Sequence, residues 1–442
     1  MNLQRLRCVW LAPLAFFQLY LTLTVFLFFF GPWPWDVKNP ITLVCYLMSA
    51  QLSIAVGYMM AWRRVGISLS QQTPAVRELA VNECLHFMRV ALIITFAMFI
   101  PTSLSRTGGF FPDVVSGLQN TGGVYMENQD RLASGNTFVF AEYLRMILSP
   151  WLIAVYPIAI VYWARMSWGM RAASVLAIGA NMSMYLATGT NKGLADFVVT
   201  APWLIFMGVA AGVLHLKISK RIALVVFVAM FFGFLEFFGN SQLQRAGGVG
   251  EFGVFNTGAG MLYANSGWLS DVLTDNLRII YESLTRYLVQ GYYALSLGLQ
   301  VDHGSTLGLG HSMFLARNAD AIFSTTYFSE QSLPGIIESQ YGWGMFSLWH
   351  SIYPWLASDF GFVGTIPVIG GLAYLLSLSW GMSLTTLRYQ WLSLLFLMLV
   401  LFFYIPANNQ IFQSGETCVG FFLILIGLAR AKPLSSSVRP VS

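Results

Sequence analysis

The sequence predicts an all-α polytopic membrane protein, with about ten transmembrane helices and a large, partly helical loop on the non-cytoplasmic side. Three observations predict it. Hydrophobic residues make up 56% of the 442 positions and charged residues only 10%, against roughly a quarter charged in a soluble domain; mean hydropathy is +0.64. The apolar residues gather in runs long enough to cross a bilayer core, which takes about 20 residues of helix. Lys and Arg fall mostly in alternate short connections between those runs, the asymmetry that sets orientation in a membrane.

Taken in order, the runs are 9–31, 41–62, 84–103, 143–164, 172–189, 196–215, 222–240, 359–381, a short one at 391–406, and 411–429. In lipid every backbone polar group must be satisfied within its own segment, so such runs are helices rather than strands. The first is too long for a signal-peptide core and lacks a small-residue cleavage site, which makes it a span. The basic groups Arg5 and Arg7, then Arg63, Arg64 and Arg77, then Arg165 and Arg171 occupy alternate connections. Lys217, Lys220 and Arg221, then Arg388, then Arg430 and Lys432 continue the series. All six groups fall on one side of a ten-span layout, placing both termini in the cytoplasm. The net charge of +5 is thereby explained without nucleic acid. Cys8, Cys45, Cys84 and Cys418 are scattered, which fits neither a disulfide framework nor a zinc site. The chain 1–442 reads as one membrane-embedded domain, with a Ser-rich tail after Pro433 expected to be disordered.

The opposite side receives a loop at 104–142 and a polar island at 240–358, too long for a mere connector. Apolar pieces inside the island, Gly291–Leu299 and Trp343–Trp355, are too short to span and predict interfacial or re-entrant helices. Charged residues near membrane depth are costly and by default functional. Glu142, Arg145, Glu236, Asp359 and Glu416 all fall on the outer half, which points to a shared cavity, although each also fits a snorkelling or mutually paired side chain. Arg106 beside Gly108 and Gly109 is a candidate anion clamp. Lys192, in the turn Gly189–Asp196, breaks the orientation rule. Arg131 and Arg245 add further cations.

The island's focus is Arg278-Ile-Ile-Tyr-Glu282-Ser-Leu-Thr-Arg286. On a helix these three charges recur every four residues and share one face. Two guanidiniums and a carboxylate there suit a diphosphate beside a proton acceptor; a solvated face with two ion pairs shows the same pattern. His311, delivered by the glycine segment Leu307-Gly-Leu-Gly, is a second candidate base, and His303, Arg317 and His350 follow the same helix. Tyr292, Tyr293 and other aromatics suit either sugar stacking or an interfacial belt. No HExxH, GxSxG or paired-aspartate pattern occurs, so no metal or serine hydrolase chemistry is predicted.

Tyr287-Leu-Val-Gln-Gly-Tyr-Tyr-Ala-Leu-Ser-Leu, Ala187-Thr-Gly-Thr-Asn-Lys-Gly and Trp355-Leu-Ala-Ser-Asp-Phe-Gly-Phe-Val-Gly resemble segments of bacterial oligosaccharide repeat-unit polymerases, the O-antigen polymerases. The resemblance runs from about Arg106 to Gly364 and includes the layout of many spans with a dominant periplasmic loop. It implies an inner-membrane glycosyltransferase that moves glycan from a polyprenyl diphosphate carrier onto the terminal sugar of a lipid-linked repeat unit, in the periplasm. It implies no cofactor and no obligate metal. The partners implied are the polyprenyl diphosphate-linked oligosaccharide, membrane lipids and a chain-length regulator protein. Periplasmic arginines are the family's recurring functional residues, and Arg106, Arg278 and Arg286 occupy the corresponding loops. The family offers no agreed base: Glu282 serves if both arginines turn toward phosphate, and His311 if Glu282 is tied up in ion pairs. An O-antigen ligase shares the donor and differs in acceptor. A flippase would instead show inverted repeats and midplane charges, and neither is evident.

Overall fold

A computed structural model of the chain describes residues 3–70, 72–134, 138–215, 219–245, 253–265, 267 and 272–431. The first half consists of α1 (Leu3–Phe30), α2 (Pro40–Met60), α3 (Trp62–Ser70), α4 (Pro74–Ala97), α5 (Phe99–Thr107), α6 (Val114–Gln119), α7 (Thr121–Ser134), α8 (Val139–Val161), α9 (Trp168–Ala187), α10 (Lys192–Ala210) and α11 (Lys220–Arg245). A small antiparallel hairpin of β1 (Val254–Asn256) and β2 (Met261–Tyr263) follows. The second half holds α12 (Asp275–Gly298), α13 (Met313–Phe323), α14 (Tyr327–Glu330), α15 (Leu333–Tyr341), α16 (Ile352–Thr386), α17 (Tyr389–Tyr404) and α18 (Gly415–Arg430).

Each of the ten apolar runs falls mainly on helix, that at 84–103 being divided at Met98 between α4 and α5. Among the described residues, six segments are long and apolar enough to cross a membrane: Gln4–Phe30, Pro40–Ser70, Pro74–Ala97, Val139–Val161, Lys192–Ala210 and Ile352–Thr386. The local signals are ordinary. Thr73, Ser167 and Ser414 cap α4, α9 and α18 by accepting from the backbone N–H three residues on, which satisfies a donor that the first helical turn leaves open. On α1, Leu6, Trp10, Phe17, Leu21 and Phe28 are buried, while Leu19, Phe26 and Phe30 stand exposed. Apolar side chains on both faces are what a helix shared between protein and lipid requires.

The island differs from expectation in its helices. Gly291–Leu299 is the second half of the longer α12, and its Tyr292 and Leu295 belong to the main core. Trp343–Trp355 is not one helix: Gly342 (φ 70) ends α15, and α16 begins only at Ile352. The loop 104–142 is itself largely helical, through α5, α6 and α7. Within α16, Gly361 (φ 64, ψ 167) breaks the helical geometry just after Asp359, a conformation open essentially to glycine alone.

Helix α2 packs on α16 through small residues. A Cβ on Gly57 would lie 1.9 Å from the Gly370 carbonyl oxygen, and one on Gly370 would meet Ser53 Oγ at 2.6 Å. Ser53 Oγ itself donates to the Ile366 carbonyl (2.7 Å). Such contacts hold helices together in lipid, where apolar burial between helices gains little. Gly57→Val is therefore expected to destabilise the protein by about 1–3 kcal/mol. Gly371→Ala, where an added Cβ meets nothing within 4 Å, should be neutral. Thermal unfolding of the two variants in detergent checks this.

Candidate functional site

At the end of the bundle where α5 finishes and α8, α10 and α18 begin, charged side chains meet. Arg106 contacts Glu142 twice (Nε to Oε1 and Nη2 to Oε2, both 3.1 Å) and reaches Glu416 Oε2 at 3.3 Å. Arg145 holds Glu416 Oε2 through Nε (3.0 Å) and Nη2 (2.6 Å), and donates from Nη1 to Thr102 Oγ1 (3.0 Å). Ser105 Oγ donates to Glu142 Oε1. Arg131 donates to the Arg106 carbonyl and to Asn128 Oδ1, and Lys192 pairs with Asp196 four residues on. Arg106, Arg145 and Lys192 are thus each matched by a carboxylate. Their donors are largely committed to protein, so as bare anion clamps they are poorly placed. Glu236 stands apart and exposed.

Beside this network lies a second constellation. His311 Nδ1 sits 2.9 Å from Asp359 Oδ2, and the His311 backbone N–H donates to the same oxygen (2.8 Å). Asp359 Oδ1 accepts from the Gly308 N–H (2.9 Å) and the Thr306 hydroxyl. The carboxylate is 3% exposed and the imidazole 15%. This arrangement fixes the tautomer with the proton on Nδ1 and leaves Nε2 as an acceptor; among the described residues Nε2 has no partner. The glycine segment read from the sequence therefore wraps Asp359 and presents the histidine. Asn409 Nδ2 donates to the His311 carbonyl (2.8 Å), and Ser312 Oγ donates to the Phe412 carbonyl (2.6 Å). A Cβ on Gly415 would meet Met146 at 2.2 Å and Phe314 at 2.6 Å. The chain neighbours of His311, Arg145 and Glu416 thus touch, and the dyad and the network share one end of the bundle.

The arginine face of α12 is only half paired. Arg278 Nε contacts Glu282 Oε1 (3.1 Å), with the arginine 43% exposed and the glutamate 3%. Glu282 Oε2 is buried without a partner among the described residues. Burial pushes the Glu282 carboxyl above its usual range, with Arg278 pulling part of the way back. Arg286 makes no ion pair among the described residues. Its guanidinium lies 4.9 Å from the centre of the Phe255 ring and 5.8 Å from those of Trp33 and Tyr287, a cation held against aromatic faces with no N–H hydrogen bond to the described residues. The expected second ion pair, Glu282 to Arg286, does not form, because the rings hold the guanidinium elsewhere. Arg278 occupies Oε1, so Glu282 does not meet the condition under which it would be the base.

The remaining candidates separate. Tyr292 is 1% exposed and its hydroxyl lies 3.1 Å from Thr24 Oγ1, deep in the core; it is no glycan platform. Tyr293 stacks on Trp35 at 5.3 Å. Arg317 is exposed over Phe346 (5.2 Å). Arg245 closes α11, and its side chain lies outside the described residues. His350 is buried, neither ring nitrogen has a hydrogen-bond partner among the described residues, and burial drives its pKa down to about 3, so it stays neutral and apart from proton transfer. His303 bonds the Ala357 carbonyl (3.0 Å). Among the described residues no three His, Cys, Asp or Glu side chains gather as a metal site requires. Sequence reasoning missed Asn409 and the Arg286 cage; Trp33-Pro-Trp35 and Asn408-Asn409, dense in one chemistry within short loops, were the available signals.

A buried charge deprived of its partner is strongly destabilising, whereas apolar replacement of both partners is often tolerated. Glu416→Ala should therefore cost about 3–5 kcal/mol, and Arg145→Met/Glu416→Leu should recover much of it, as read from unfolding in detergent. No family model, curated protein or solved structure matches this chain.

Proposed function

We propose that the chain is a ten-span glycosyltransferase of the oligosaccharide repeat-unit polymerase type, working at the periplasmic face of the inner membrane on a polyprenyl diphosphate-linked donor. The observation that carries this reading is the His311–Asp359 dyad, with Nε2 free, at the outward end of an apolar bundle. The resemblance to O-antigen polymerases and the uncommitted Arg286 on the adjoining helix add support.

In this reading the acceptor sugar's hydroxyl oxygen attacks the anomeric carbon of the donor glycan. The bond from that carbon to the diphosphate oxygen breaks, and the diphosphate leaves with the electron pair. The hydroxyl proton passes to His311 Nε2, and Asp359 stabilises the imidazolium that results. Arg286 donates to the leaving diphosphate, where negative charge builds and a fork of N–H groups fits two oxygens. The closed network of Arg106, Glu142, Arg145 and Glu416 holds α5, α8 and α18 in place around the dyad. Arg278, half-exposed and bound to Glu282, has a secondary part.

His311→Ala is expected to lower polymer formation by about 10²–10⁴-fold. Arg286→Lys should impair it despite keeping the charge, and Arg278→Ala should do less harm than Arg286→Ala. The glycan ladder of cells expressing each variant, with insertion and folding verified, checks this. Normal long-chain glycan in both His311→Ala and Arg286→Ala would overturn the reading. In a deletion strain, single repeat units on lipid A are expected; loss of all surface glycan would point to ligation or export.

A further inference from the structure

A cavity of about 880 Å³, delimited by described residues, lies at the opposite end of the bundle from the dyad. Its walls come from the start of α1, the start of α4, the turn after α8, the turn after α10 and the end of α16. The wall is two-faced. Arg5, Arg77 and Arg165 line it together with Glu78 and Gln72, while Val81, Val209 and Leu384 give it an apolar side. Three arginines against one glutamate leave a formal charge of +2.

Two of these cations are held in position. Arg77 Nη2 donates to the Ala211 carbonyl at the end of α10, and Arg165 pairs with Glu78. The Gln72 Oε1 atom is buried and accepts no hydrogen bond from the described residues. An orphaned acceptor of this kind costs free energy unless a donor reaches it. Arginines at this end orient the chain whatever else they do, but orientation calls for neither a cavity nor a buried amide oxygen without a partner. The combination matches one ligand chemistry: a phosphate for the guanidiniums, a hydroxyl donor for the glutamine, and acyl chains beside the apolar wall.

We propose that this cavity binds the headgroup of an anionic glycerophospholipid bearing a free hydroxyl, drawn from the leaflet at the Arg5 end. Basic pockets between helix ends take such headgroups because the phosphate gains charge-assisted hydrogen bonds that a flat surface does not provide. The site lies apart from the dyad and does not depend on the polymerase reading.

The test uses the purified full-length chain in a neutral detergent, with binding read as the shift in thermal unfolding over a titration. Dihexanoyl phosphatidylglycerol should raise the unfolding temperature, and dihexanoyl phosphatidylcholine should not. Inorganic phosphate should give no comparable shift; an equal shift would make this a free-phosphate site and overturn the lipid assignment. Arg5→Gln/Arg165→Gln should raise the half-saturating concentration of phosphatidylglycerol by about tenfold or more. Arg165→Gln alone, with its half-exposed guanidinium, replaces it if the double variant fails to fold. Gln72→Leu removes no charge, so it should keep phosphatidic acid binding and lose the preference for phosphatidylglycerol over it. Unchanged titrations in the arginine variants, or an equal response to phosphatidylcholine, would overturn the site.

Discussion

Charge that cannot reach water must find opposite charge, and this constraint arranges the end of the bundle where α5 finishes and α8 and α18 begin. Arg106, Glu142, Arg145 and Glu416 come from three helices far apart in sequence and close on one another. A buried ion pair contributes little net stability over an apolar pair of the same shape. What it does is select an arrangement, since any slip of α8 against α18 strands a charge. With the ends of α5, α8 and α18 fixed in this way, the loop from Pro406 to Gln410 runs between two neighbours. The Asn409 side chain holds the His311 carbonyl on one side. On the other, a Cβ on Gly291 of α12 would lie 2.5 Å from the Pro406 carbonyl oxygen.

The charged constellations around Arg106 and around Arg286 divide into a balanced half and an open half. The network around Arg106 is neutral overall and shut, so a diphosphate arriving there would have to displace carboxylates from arginines. Arg286 is different. Aromatic faces stabilise its charge without using its hydrogen-bond donors, so an anion that reaches it displaces nothing. In the proposed reaction this contrast moves the weight of anion binding from Arg106, Arg278 and Arg286 together to Arg286 alone.

The apolar runs were legible as helices because a segment in lipid must be long and apolar and must satisfy its own backbone. Of the five charges expected to share one end, Glu142, Arg145, Asp359 and Glu416 gather there, whereas Glu236 stands apart. Pairing was not legible. Glu142 and Arg145 stand three apart on one helix, yet each takes its partner from another element, because only the packed orientation of α8 decides which neighbour faces each side chain. The even spacing of Arg278, Glu282 and Arg286 likewise promised two equal ion pairs. Trp33 and Phe255, more than 200 residues apart in sequence, broke that symmetry. A one-dimensional spacing rule cannot see rings delivered by distant loops.

The least legible feature was the one on which the dyad turns. Asp359 lies in a helix otherwise continuous from Ile352 to Thr386, and a carboxylate there would ordinarily face a row of helical neighbours. Gly361 interrupts the geometry two residues later, which ends the first segment at the aspartate. The carboxylate there meets a cradle of backbone N–H groups from Gly308 and His311. Those donors hold it oriented toward His311 Nδ1 before any histidine charge appears, which is the condition for it to stabilise a transient imidazolium. In the run Phe360-Gly361-Phe362 a lone glycine between aromatics reads as ordinary helix filler. Its positive φ makes it the hinge that separates a spanning helix from the short segment carrying the acid of the dyad.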